Sequence, residues 1–182
     1  MKRKTINKET LLKFIQKAEQ RLQGDWVIIG GAVLPLLGVS QRATVDIDIA
    51  GPPESPQSET LVLMEIADEL GLPVEAINQA GAFFLRRIKG WEKMLVPLRS
   101  VNPEQTAVFF RPQVTLFVLL KMGRLSETDL QDCLVFMEFA RRNDEHLDDV
   151  LVRKEAKRIL AKNPPKEKRR RLEVLLDALC SA

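Results

Sequence analysis

The amino-acid sequence predicts an α/β (α+β) fold, a small mixed β-sheet flanked by helices and followed by a helical C-terminal part. Three observations predict it. The apolar run WVII at 26–29 stops at Gly30-Gly31, as a buried strand does when it enters a tight turn. QRATVDIDIA at 41–50 alternates polar and apolar residues without a break, which is the period of a strand. Apolar residues recur at helical spacing on both sides of these strands, over 8–23 and again from Pro112 onward.

Taken in order, KETLLKFIQKAEQRLQ at 8–23 sets Leu11, Leu12, Ile15, Ala18 and Leu22 on one stripe and its charges opposite, and Gly24-Asp25 ends that helix. After the strand at 26–29, residues 32–37 read as a short helix closed by Gly38, with Pro35 tolerated in its first turn. A strand over 42–49 follows, then a Gly-, Pro- and Ser-rich loop at 51–58, and a helix from Glu59 to Leu70 stopping at Gly71. The middle of the chain reads as a short helix near 73–80 and strands around 91–98 and 106–110. Pro112 opens an apolar helix, VTLFVLLKMGR. Ser126-Glu-Thr-Asp129 has the form of a capping box for a helix running to Arg142, and two further helices, near 145–162 and 165–180, are parted by Pro164-Pro165. The expected organisation is an α/β core over 1–111 and a helical region over 112–182, packed on that core and carrying a basic tail.

Bulk composition narrows the function. The 182 residues are 45% hydrophobic and 29% charged, enough for a real core. The longest apolar run, VTLFVLL at 114–120, is far too short to span a bilayer, and MKRKTINKETLLKF has no apolar stretch of signal-peptide type. Cys133 and Cys180 are too few for a disulfide framework, so a reducing cytoplasm is expected. With His146 the only histidine, a metal would be a hard cation held by oxygen. The net charge of +3 is unevenly spread: 153–171 holds ten Lys or Arg against Glu155 and Glu167, and the rest of the chain is net acidic. That tail reads either as a solvated helix face with a linker or as a surface for an anionic partner such as RNA. Trp26, Trp91, Phe83, Phe84, Phe109, Phe110 and Phe117 are expected in the core, and His146 exposed near a helix start.

The chemistry is expected where two pieces meet. In the first, Val27-Ile-Ile-Gly-Gly-Ala32, glycines at a strand-to-helix turn let backbone N–H groups face outward and cradle phosphate. In the second, strand alternation sends Arg42, Thr44, Asp46 and Asp48 to one face, where two carboxylates repel unless a cation joins them. Mg²⁺ (or Mn²⁺) suits one or two carboxylates and completes its shell with water and substrate phosphates. Gly30 and Gly31 beside Asp46 and Asp48, with Arg42 and Thr44 reaching a triphosphate, form a site for two-metal phosphoryl or nucleotidyl transfer.

GGAVLPLLGVSQRATVDIDIA at 30–50 resembles the signature of the DNA polymerase β-type nucleotidyltransferase superfamily, and is closest to its minimal, toxin–antitoxin-associated bacterial branch that includes AbiEii-like proteins. In that branch a Gly-Gly or Gly-Ser turn precedes a helix and a D-x-D strand, commonly introduced by R-x-T. The resemblance carries over Gly30, Gly31, Asp46 and Asp48, with Arg42 and Thr44 in support. A second block, Leu120-Lys-Met-Gly-Arg124 with Asp129-Leu-Gln-Asp132, is similar to the same branch and implies that Lys121 binds a phosphate and Asp129 orients it. The alternatives at those positions are a snorkelling lysine and the capping aspartate. GLPVEAIN at 71–78 is similar too, with no chemical role legible. In all, the similarity touches residues 26–135.

What the resemblance implies is an Mg²⁺-dependent transfer from an NTP to a hydroxyl on RNA (tRNA), a protein or a small molecule, with a cognate antitoxin as partner. Polymerising members add a third carboxylate from a later strand. Here 81–110 offers only Glu92 and Glu104, neither in a matching motif. The alternative is a catalytically weak relative that binds nucleotide, RNA or a partner protein.

Overall fold

Trp26, Val27, Ile28 and Ile29 are all buried, which places β1 (Gly24–Ile29) inside a sheet covered on both faces in the computed structural model of the chain. The structure describes residues 6–39, 44–54, 57–99 and 106–180. They form two compact units, Met1–Lys89 with Leu95–Pro112, and Gly90–Met94 with Gln113–Ala182.

In the first unit, β1 lies between β2 (Ile47–Ala50) and β5 (Ala107–Pro112), and β3 (Ile77–Asn78) and β4 (Leu95–Pro97) form the edges. The order is β3-β2-β1-β5-β4. β1 runs antiparallel to β2 and parallel to β5, β2 is parallel to β3, and β4 is antiparallel to β5, so the sheet is mixed. Trp26 stacks on Phe109 across the β1–β5 pair, with ring centroids 6.4 Å apart. Helix α1 (Lys8–Glu19) is capped by the Asn7 side chain, and buries Leu11, Phe14, Ile15 and Ala18 where it meets β5 and α3 (Gln57–Glu69). Lys17 of α1 and Arg21, just past its end, reach Glu65 and Glu69 of α3. Helix α2 (Val33–Leu37) ends at Gly38, whose φ of 74° is the left-handed stop expected of glycine.

Two parts of this unit depart from the sequence reading. Of the described part of the alternating stretch, 44–50, only 47–50 joins the ladder, because the Thr44 hydroxyl turns onto its own chain: it accepts from the Asp46 N–H at 3.3 Å and donates to the Asp46 carbonyl at 2.9 Å. Such a local turn competes with strand pairing. Thr44 itself keeps one bridge, to Ile6. The segment near 73–80 is a single 3₁₀ turn, Val74–Ala76, followed by β3, and a five-residue helix α4 (Gly81–Leu85) comes next.

In the second unit, α5 (Val114–Met122) is buried almost all round, and α6 (Glu127–Arg142) and α7 (Asp149–Leu160) pack on it. Phe117 of α5 meets Phe136 of α6 edge to face at 4.9 Å. Helix α8 (Lys166–Cys180) packs on α6 and α7. The basic stretch is therefore two folded helices, and several of its cations have internal partners. Lys168 donates to the carbonyl of Gly123, the C-cap of α5, and Arg171 to the Leu125 carbonyl in the α5–α6 turn at 2.6 Å. His146 is exposed just before α7. Among the described residues no helix is long and apolar enough to cross a membrane.

Candidate functional site

The antiparallel register of β1 and β2 sets Ile29 opposite Asp48. Gly30, the next residue, turns out of the strand with a φ of +67°, and a Cβ built on it would lie 1.9 Å from Oδ2 of Asp48 and 2.8 Å from its Cγ. Glycine is required there twice over, by the backbone angle and by the carboxylate pressed against its Cα. Gly31 continues into the 3₁₀ turn Gly30–Ala32, and its own Cβ position is 4.0 Å from the Thr44 hydroxyl. The Gly-Gly turn is thus brought against both Thr44 and Asp48.

Asp46 stands one residue before β2, and both it and Asp48 are half-buried. The neighbouring strand supplies a residue with no role legible in the sequence. β3 pairs Asn78 with Asp48, and the Asn78 amide donates to Oδ1 of Asp48 at 2.7 Å. The other end of that amide accepts from the Ala80 N–H at 3.1 Å, which fixes its orientation. Asn78 closes the GLPVEAIN block, so the signal was present as similarity; only the parallel β2–β3 pairing gives it chemistry.

One Asp48 oxygen is held by an amide and the other lies against a glycine. Together with Asp46, this is an all-oxygen, hard donor set beside the Gly-Gly turn, and its chemistry fits Mg²⁺ or Mn²⁺. Among the described residues, no three His, Cys, Asp or Glu side chains converge as a metal site. Glu92 is exposed in the 3₁₀ turn Trp91–Met94. Arg42 and Glu104 lie outside the described residues.

Lys121 and Asp129 belong to a buried ion cluster of the helical unit. Lys121 donates to Oδ1 of Asp129 at 3.0 Å and to Oδ2 of Asp132 at 2.9 Å. Asp129, fully buried, also accepts from Arg124 at 2.7 and 2.8 Å and from the Ser126 N–H and hydroxyl at 3.0 and 2.8 Å. The Ser126–Asp129 capping box is complete. Burial by itself would raise the Asp129 pKa, but Arg124, Ser126 and Lys121 outweigh it and hold the carboxyl well below the usual carboxylate range. Lys121 therefore has two of its three N–H donors committed to carboxylates.

The aromatic residues divide. Trp26, Phe109 and Phe117 are buried and Trp91 and Phe110 are partly so, but Phe83 and Phe84 are exposed on α4, against expectation. Helix α4 has only five residues, and Ala82 and Leu85 take its buried side.

Across 5–174 the chain matches a family model described as a nucleotidyltransferase of unknown function (DUF6036), a span that contains the Gly-Gly turn, Asp46, Asp48 and the Lys121 cluster. No curated protein and no solved structure matches it.

Proposed function

The chain belongs to this family of nucleotidyltransferases of unknown function (DUF6036), and from that premise we propose that it transfers a nucleotidyl group from an NTP to a hydroxyl acceptor with the help of Mg²⁺ or Mn²⁺. The observation that carries this reading is the contact of Gly30 with the Asp48 carboxylate, which sets the glycine turn and the acidic strand against each other. Asp46 and Asp48 hold the cation, Gly30 and Gly31 receive phosphate oxygens at their backbone, and Thr44, with Arg42, steadies the triphosphate. When bound, the cation draws charge from the entering and leaving oxygens. The acceptor oxygen forms a bond to the α-phosphorus, the bond to the β-phosphate oxygen breaks, pyrophosphate departs, and the hydroxyl's proton passes to water.

Asn78 fixes Asp48 through one oxygen, as outer partners of metal ligands do. Lys121, whose amine Asp129 and Asp132 hold in place, keeps one further N–H donor. The AbiEii-like branch and a role as the enzymatic partner of an antitoxin rest on the sequence similarity within residues 26–135 alone. RNA, a protein or a small molecule would supply the hydroxyl.

Incubation of the protein with each α-labelled NTP, Mg²⁺ and bulk tRNA tests this. Label should move to an acceptor with the wild type and fail to move with Asp46→Ala plus Asp48→Ala. Transfer that survives the double substitution removes these carboxylates from the chemistry. If neither protein transfers label yet both bind nucleotide, a binding protein on this fold is the better description.

A further inference from the structure

Phe83 and Phe84 leave 61% and 60% of their surface exposed, although they sit on a helix whose other residues Ala82 and Leu85 are buried. Their rings meet edge to face, with centroids 5.5 Å apart, and the Arg87 guanidinium lies 5.3 Å from the Phe83 centroid. Residues 76–91 contain no acid and three cations, Arg86, Arg87 and Lys89. The helix is fastened to the acidic strand at both ends. On its N-terminal side Asn78 bridges Asp48 and the Ala80 N–H; on its C-terminal side Arg86 donates to the carbonyls of Gly51, at 2.9 Å, and Pro52, just past β2. A Cβ on Gly81 would lie 2.4 Å from Ile29 Cδ1, so the start of α4 is seated closely on the end of β1.

Two large rings lie mostly in water, one of them beside the Arg87 guanidinium, on an element fastened to the candidate site. We infer that α4 is a stacking platform on which unpaired bases of a single-stranded nucleic acid lie against Phe83 and Phe84 while Arg87 and Lys89 meet its phosphates. Aromatic faces accept any base, and cations beside them take the backbone charge. Paired bases are already stacked inside a duplex and cannot use the rings. The inference rests on the proposed transferase reading only in making this strand the acceptor; it selects nucleic acid among the three acceptor classes.

The full-length protein is titrated into a short fluorescein-labelled single-stranded RNA of mixed sequence, and into the same strand annealed to its complement, with anisotropy as the readout. The wild type should prefer the single strand. Phe83→Ala plus Phe84→Ala should weaken single-strand binding by at least about tenfold, leave duplex binding unchanged and preserve the salt slope, since no phosphate contact is lost. Phe83→Tyr plus Phe84→Tyr should restore the affinity, which a merely misfolded alanine variant could not mimic. Arg87→Gln should reduce both affinity and salt slope. No measurable single-strand binding, equal loss for duplex and single strand, failure of the tyrosine pair to restore binding, or a wild-type dimer that the alanine pair dissociates would each overturn the platform. Asp46→Asn plus Asp48→Asn should abolish transfer yet keep RNA affinity, so failure of the transfer chemistry and failure of the platform give different results.

Discussion

The carboxylate of Asp48 fills the space that a side chain on Gly30 would need, with Oδ2 1.9 Å from the position of the missing Cβ. Gly30→Ala must therefore move either the turn or the aspartate, and at a φ of +67° it also strains the backbone. It should cost about 1–3 kcal/mol in urea unfolding and reduce nucleotidyl transfer sharply. Gly31→Ala meets its nearest atom, Thr44 Oγ1, only at 4.0 Å, and should stay within about 0.5 kcal/mol of wild type. Equal effects of the two substitutions would contradict the contact.

Asn78 holds the other oxygen of Asp48 at 2.7 Å. Removing that donor in Asn78→Ala should lower activity, or raise the Mg²⁺ concentration needed for half-maximal transfer, by about 10- to 100-fold. Because the amide is only part-buried, the melting temperature should change little. A large loss of stability with an unaltered metal requirement would make Asn78 a structural residue alone.

How much of this was legible in the sequence depends on how local each signal is. The start of helix α1, the Gly38 stop and the Ser126–Asp129 capping box are set by neighbours within a turn or two, and the structure has them where the pattern places them, although α1 ends at Glu19 and Gly24-Asp25 already belong to β1. Strand β3 has two residues and exists through its register with Ile47 and Asp48, some thirty positions away, so no window around Ile77 contains it. Residues 44–46 leave the strand because of one hydroxyl, that of Thr44, whose turn polar–apolar alternation does not encode. The sequence alone sends Phe83 and Phe84 to the core because apolar residues usually go there; which side of so short a helix is covered is decided by Ile29 and β2, far off in the chain. The Gly-Gly turn and the D-x-D were visible as residue types, whereas their contact needed the β1–β2 pairing.

Lys121 is 9% exposed and neutralises Asp129 and Asp132 together, so Lys121→Met leaves buried carboxylates short of a partner. It should destabilise the protein by about 3 kcal/mol. Arg124, whose side chain is 75% exposed, is screened by water, and Arg124→Gln should cost about 1 kcal/mol or less. Chemical unfolding of the two variants checks the order; reversal would shift the cluster's weight to the surface.

The Asp129 carboxyl titrates below its unfolded value, so the unfolded chain takes up that proton first as acid is added. Its stabilising contribution should be complete above about pH 5 and should fade as the pH drops below about 4. Comparing urea midpoints of wild type and Asp129→Asn across that range, the gap should narrow on the acid side. A gap independent of pH would mean that the charge on Asp129 contributes nothing.

The most direct measurement is anomalous diffraction from crystals soaked in Mn²⁺ with a non-hydrolysable NTP. A manganese peak bonded to carboxylate oxygens of both Asp46 and Asp48, with the nucleotide phosphates against Gly30 and Gly31, is the expected result. Nucleotide bound with no manganese at these two aspartates, or with its phosphates away from the glycine turn, would contradict it.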